Sequence, residues 1–259
     1  DSLISAVKKR IDNTDRPIAC LLSGGLDSSL ITALVKKYSP ANKEIHTWSI
    51  GLEGSQDLFY AQKVADFLQT IHHSIVVTEQ EFLDSIPLVI KDIESYDTTS
   101  VRASVGNWLL GKKIREESDA KVIFNGDGSD EISGGYMYFH YAPNEIEFDF
   151  ECRRLLKDIH FFDVLRSDRC ISSHGLEART PFLDKTFVQN YLSIPADVRF
   201  NAHKNGCEKF LIRDSFSGLL PEEVLWRTKE AFSDGVSSNK KSWFQIIQDH
   251  LALNYKPVF

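Results

Sequence analysis

Four short apolar runs, spaced so that helical periodicity fills the gaps between them, constrain this chain more than any other feature. Residues 17–22 (PIACLL), 44–50 (EIHTWSI), 71–77 (IHHSIVV) and 121–125 (KVIFN) read as strands. Residues 28–38 carry Leu30, Ile31, Leu34 and Val35 on one helical face, and residues 56–69 carry Leu58, Ala61, Val64, Ala65 and Leu68. Further helices are expected at about 79–95 and 102–118. Strands separated by helices pair in parallel, because a parallel neighbour needs a crossover, and the crossovers cover both faces of the sheet. The fold class is therefore α/β, a parallel sheet with helices on both faces. Such folds bind ligands at the carboxyl ends of the strands. Two loops at strand ends, 23–29 and 126–135, are rich in Gly, Ser and Asp.

The pattern changes after about residue 145. Residues 145–168 read as one charged helix with Phe148, Leu155, Leu156, Ile159, Phe162 and Leu165 as its buried stripe, and no further strand is expected. We expect a sheet core over about 1–145 and a helical part over about 146–259, packed together as one domain. The 259 residues bear 30 Lys+Arg against 37 Asp+Glu, a net charge of −7, so nothing advertises a nucleic-acid surface. No apolar run is long enough to span a membrane as a helix, and no signal-peptide pattern opens the chain, so a cytoplasmic protein is expected. The four cysteines, Cys20, Cys152, Cys170 and Cys207, have no zinc-site spacing and read as buried thiols. The first residue is Asp1, which implies a segment of a longer protein or a processed product.

Residues 23–29, Ser-Gly-Gly-Leu-Asp-Ser-Ser, lie directly after a buried strand and directly before a helix. A helix N-terminus offers free N–H groups and a positive dipole end. Gly24 and Gly25 let backbone approach a pyrophosphate, and Ser23, Ser28 and Ser29 add hydroxyl donors. Asp27 would be repelled by phosphate unless a divalent cation lay between them, which points to Mg²⁺. A Walker A loop fails for want of its lysine, and G-x-G-x-x-G does not match. Residues 126–131, Gly-Asp-Gly-Ser-Asp-Glu, place three carboxylates in five positions, which calls for a shared cation. An EF-hand loop counted from Asn125 would need Gly where Asp130 stands and Glu where Tyr136 stands.

Ser23–Ser29 resembles the pyrophosphate loop of the ATP-pyrophosphatase superfamily, whose fold is the adenine-nucleotide α-hydrolase-like (HUP) type and whose members make acyl-adenylates from ATP. Three further blocks, NGDGSDEISGGYMYFHY (125–141), GLEARTPFLD (175–184) and LWRTKEAFSDGV (225–236), are similar to the synthetase domain of glutamine-dependent asparagine synthetases. The resemblance extends over nearly the whole chain. It implies ATP-dependent amidation of L-aspartate to L-asparagine through β-aspartyl-AMP, with release of AMP and pyrophosphate. It implies ammonia supplied by an N-terminal glutaminase domain that this segment lacks, and it leaves a homodimer open.

The same resemblance assigns residues. Asp27 and Asp130 would hold Mg²⁺. Lys229 would contact the α-phosphate, where an ammonium stabilises charge building on phosphorus. Arg102 would assist at the phosphates or substrate. Adenine would sit against Leu22, Ile50 and the Asn125–Gly126 backbone. Asp168 is suggested for the substrate α-amino group, while Glu177, Arg179 and Asp184 read as structural ion pairs. The family has Glu where this chain has Asp127, and usually Ser where it has Asn125. That Glu is tied to forming the adenylate and to its reaction with ammonia. Asp127 loses about 1.5 Å of reach, and a misplacement near 1 Å can cost on the order of a hundredfold. On that basis Asp127→Glu is expected to speed the ammonia reaction. Two other readings stay open: a β-lactam synthetase-like adenylating ligase, and a degenerate ATP-binding regulatory domain.

Overall fold

A computed structural model describes residues 1–205, 207–228 and 242–254. The chain opens with α1 (Ser2–Asp12), which the strand-and-helix pattern did not include, and continues β1 (Ile18–Leu21), α2 (Leu26–Tyr38), β2 (His46–Leu52), α3 (Gln56–Leu68), β3 (Ile71–Val77), α4 (Glu79–Ile93), α5 (Thr98–Glu117) and β4 (Val122–Phe124). Local chemistry starts the helices. Ser55 caps α3, Thr78 and Glu81 form a reciprocal capping box on α4, and the Asp97 carboxylate accepts from Ser100 N–H at 2.7 Å to open α5.

All pairings are parallel, in the order β3-β2-β1-β4-β5, where β5 is Glu177–Arg179. Two-residue alternation divides the core between the sheet's faces. Ile18, Cys20 and Leu22 pack with α1, α2 and α3, whereas Ala19 and Leu21 pack with α4, α5 and Trp48. Burial raises the Cys20 and Cys152 thiols to about 12 and Cys170 to about 11, so these sulfurs pack rather than react.

The second half departs from expectation in two places. A fifth strand, β5 (Glu177–Arg179), pairs with β4, although Glu-Ala-Arg has no apolar run to announce it. The helix expected over 145–168 is broken. After the short helix α6 (Ser129–Ser133), α7 covers Glu145–Asp158, a 3₁₀ turn follows at Ile159–Phe161, and α8 begins at Asp163 and ends at Ser172. The turn re-aims α8, so Ser167 and Cys170 enter the core while Asp168 faces solvent. Then come α9 (Lys185–Leu192), α10 (Ala196–Asn205), α11 (Phe210–Ser215), α12 (Glu222–Leu225) and a helix over Trp243–Asn254. Asp184 pairs with Arg10 at 2.9 Å and caps α9, and Arg179 binds Glu177 at 2.8 Å and the carbonyls of Arg10 and Asn13. These three residues tie α1 to β5 and α9.

His72 on β3 lies between two β2 hydroxyls, with Thr47 Oγ1 at 2.9 Å from Nδ1 and Ser49 Oγ at 3.0 Å from Nε2. Burial first, then neighbouring His73, lowers its pKa from 6.5 to about 4, against Asp66. A base whose folded pKa is depressed contributes stability above its unfolded pKa and loses it as pH falls. Folding stability is therefore expected to decline from about pH 6.5 toward pH 4, and His72→Gln should flatten that decline. Urea midpoints across this range measure it.

Candidate active site

The chain runs outward from β1 through β2 and β3, then returns to β4 and β5 on the other side. The switch point falls between β1 and β4, whose carboxyl ends carry the two Gly-rich loops. In the first loop the Ser28 hydroxyl accepts from Ser23 N–H at 3.1 Å and lies 3.0 Å from Ser23 Oγ. Gly25 opens α2 with no side chain over the first amides, the arrangement that suits an anion. The loops touch through backbone: a Cβ on Gly126 would lie 2.7 Å from the Asp27 carbonyl carbon and from Ser28 N.

A cavity of about 900 Å³ opens above these loops. Of the residues singled out from sequence, it is lined by Leu22, Ser23, Gly25, Asp27, Ser28, Ile50, Arg102, Asn125, Gly126, Asp127 and Asp130. Arg102 also meets the Trp243–Asn254 helix: its carbonyl accepts from Trp243 Nε1 at 3.2 Å, and its guanidinium lies 5.7 Å from the Phe244 ring. Asp168 is exposed and does not line the cavity, whereas Asp163 and Arg166, on the same helix, do. Lys229 lies outside the described residues.

The feature that the sequence did not announce is Lys209. Its buried ammonium sits 2.5 Å from Asp27 Oδ2 and 2.6 Å from Asp130 Oδ1, joining the two loops. Its backbone is left-handed, with φ of +61°, a conformation that costs a non-glycine residue roughly 1–2 kcal/mol and persists where surroundings enforce it. The enforcement is visible. Arg213 is 1% exposed, pairs with Glu208, donates to the Glu208 carbonyl at 2.8 Å and also reaches the Leu225 carbonyl. Gly135 leaves the room the lysine needs, since a Cβ there would stand 2.1 Å from both Lys209 Cε and Asp130 Oδ1.

Two carboxylates on opposite walls that share one cation suit Mg²⁺, which takes one or two carboxylates and fills its remaining positions with phosphate oxygens and water. Among the described residues no group of three His, Cys, Asp or Glu could form a complete protein cage. Arg227 completes this end. It lies 3.4 Å from the Gly24 carbonyl and 3.5 Å from Asp57, with its guanidinium 4.1 Å from the Tyr60 ring centre.

The opposite end is acidic. Arg166 reaches Asp163 at 3.2 Å and Asp127 at 3.7 Å. Tyr136 donates to fully buried Glu131 and lies 3.4 Å from Asp163. Burial first, then Asp163 and Asp130, raises Glu131 to about 8, so its carboxyl is mostly protonated at neutral pH. Asp127 is likewise raised by burial, against the Arg166 charge. Asp127 and Asp163 thus share the Arg166 guanidinium, with Glu131 held beside Asp163 through Tyr136.

Residues 1–151 and 143–255 match the family model described as asparagine synthase. The chain belongs to the asparagine synthase family. Among the curated relatives of this chain, glutamine-hydrolyzing asparagine synthetase of Cricetulus griseus is 51% identical over 252 residues, and that of Homo sapiens is 50% identical over 252 residues. Each match covers 95% of this chain and 44% of the relative, so the chain spans less than half the length of these relatives. Among solved structures, NMN synthetase from Francisella tularensis aligns with a TM-score of 0.45 and 15% identity, covering 99% of this chain and 85% of that one. NH3-dependent NAD synthetase from Campylobacter jejuni aligns with a TM-score of 0.37 and 16% identity, covering 80% and 95%. No described helix is long and apolar enough to cross a membrane.

Proposed function

We propose that this chain is the synthetase half of a glutamine-dependent asparagine synthetase, making L-asparagine from L-aspartate, ATP and ammonia through β-aspartyl-AMP. The observation that carries the reading is the cavity at the β1/β4 switch point, where Lys209 joins the 23–29 loop to the 125–131 loop. Adenine fits between Leu22, Ile50 and the Asn125–Gly126 backbone. The phosphates fit the amides and hydroxyls of Ser23–Ser28, with Arg102, Lys209 and, by resemblance, Lys229 supplying positive charge. Asp27 and Asp130 would hold Mg²⁺, which when bound supplies charge neutralisation for departing pyrophosphate.

The carboxyl groups clustered at the far end suit the substrate α-ammonium group. Asp163, which lines the cavity, is a better partner for it than exposed Asp168. Aspartate's β-carboxylate is a poor electrophile; adenylation makes its oxygen a good leaving group. Ammonia that attacks the acyl carbon must then lose a proton, and Asp127, with its raised basicity, is the carboxylate at hand. The described cysteines lack a nucleophile's setting, so a separate glutaminase domain is the proposed nitrogen source.

The test is formation of asparagine and AMP by this segment with ammonium chloride or glutamine as nitrogen donor, beside pyrophosphate exchange with L-aspartate and other carboxylic acids. Asparagine from ammonium alone is the expected outcome. Exchange with another acid would favour a β-lactam synthetase-like ligase, and nucleotide binding without AMP formation would favour a regulatory domain. Asp27→Asn and Asp130→Asn should each reduce Mg·ATP use severely and leave the fold intact; parental turnover by either would remove the metal assignment.

A further inference from the structure

Asn125 commits both side-chain donors and its amide oxygen inside the site. Its amide nitrogen donates to Asp127 Oδ2 at 2.9 Å and to Ser167 Oγ at 2.6 Å, one bond for each of its two hydrogens. Its amide oxygen accepts from Asp127 N–H at 3.3 Å. The residue is 4% exposed, and its own N–H donates to the Arg179 carbonyl on β5 at 3.2 Å. The Ser167 hydroxyl, which accepts from the amide, lies on α8. Asp127 is thus gripped at its backbone and at its carboxylate by one side chain, and that side chain is anchored to β5 and α8.

We propose that Asn125 is a positioning residue for Asp127, and that the two form one unit in which the amide at 125 sets where the carboxylate at 127 meets the reacting acyl group. The inference rests on the reading of Asp127 as the group serving acyl transfer. A serine at 125 has a single hydroxyl hydrogen and is too short to reach both Asp127 Oδ2 and Ser167. A glutamate at 127 with Asn125 still present would drive its longer side chain past the amide that now receives it. Lengthening 127 therefore requires shortening 125, a volume-conserving exchange of the kind packed sites tolerate best. This reverses the expectation that Asp127→Glu alone accelerates the reaction.

The test is a double-mutant cycle on ammonium-dependent asparagine formation by the same segment, with kcat, the KM for ATP and the melting temperature measured for each protein. Asn125→Ser and Asp127→Glu are each expected to lower kcat roughly tenfold or more, the scale of an ångström-level misplacement, with little change in the KM for ATP. The double variant Asn125→Ser/Asp127→Glu should return to within about threefold of the parent, a coupling characteristic of residues in contact. Asp127→Glu faster than the parent, or single losses that simply multiply in the double variant, would overturn the proposal. A purely structural Asn125 would shift melting temperature without rescue by Asp127→Glu. If Asn125→Ser does not fold, Ser167→Ala, which removes the amide's second anchor, should still lower kcat; an unchanged kcat would overturn the proposal. Asp127→Asn separates the two readings, because parental activity there would remove Asp127's catalytic role whatever Asn125 does.

Discussion

Lys209→Met is expected to lower aspartate-dependent pyrophosphate exchange by about two to three orders of magnitude, the range measured when one preorganised charge stabiliser is removed. The ammonium is fixed between Asp27 and Asp130, buried and braced by the Glu208–Arg213 pair and by Gly135. Little reorganisation is needed when negative charge develops on the phosphates, which is where a fixed cation acts most strongly. ATP affinity should fall less than the exchange rate, because on the proposed reading the ground-state phosphates would also have the loop amides. Lys209→Arg keeps the charge but replaces a compact ammonium with a planar fork; its activity should stay well below the parent. Exchange rates and melting curves with and without Mg·ATP decide the matter, and parental exchange by Lys209→Met would reduce the lysine to a structural tie.

Asp127→Asn is the second large effect. The substitution preserves size and removes the charge and the proton acceptor. Asparagine formation from ammonium should drop by about two to four orders of magnitude, the range for general-base contributions. Pyrophosphate exchange should drop less, since it reports adenylation and not the proton loss that follows ammonia attack. Quench-flow separation of the two steps measures the difference. Equal losses in both would place Asp127's work at adenylation instead.

The fold was legible wherever burial imposed a pattern. β1, β2 and β4 are apolar because they are covered on both faces, β3 at the sheet's other edge is largely open yet still carries Ile71, Ile75, Val76 and Val77, and the observed elements start and end within two residues of the runs at 17–22, 44–50, 71–77 and 121–125. β5 escaped because its three residues, Glu-Ala-Arg, sit at the sheet edge, where polar side chains reach solvent. The break at 159–162 contains neither Gly nor Pro, so nothing local marked it. Beyond the break Asp168, suggested for the substrate α-amino group, faces solvent, and the carboxylate of α8 that lines the cavity is Asp163. The glycine-rich loops were legible because tight turns and close backbone approach admit few residue types. Lys209 was not, since a lysine in a polar turn has no distinguishing neighbours and its partner Asp27 lies 182 positions away.

The left-handed backbone at Lys209 bears on what would happen to a chain released from catalysis. Gly126 is demanded by backbone sterics alone, because any side chain there would collide with the main chain of the neighbouring loop. Drift would therefore spare it whether or not the protein worked. Gly135 is different, since the atoms it makes room for are the end of the Lys209 side chain and the Asp130 carboxylate. A retired copy of this protein should thus lose Lys209, whose backbone glycine would relax, and Gly135 together, and should keep Gly126 longest.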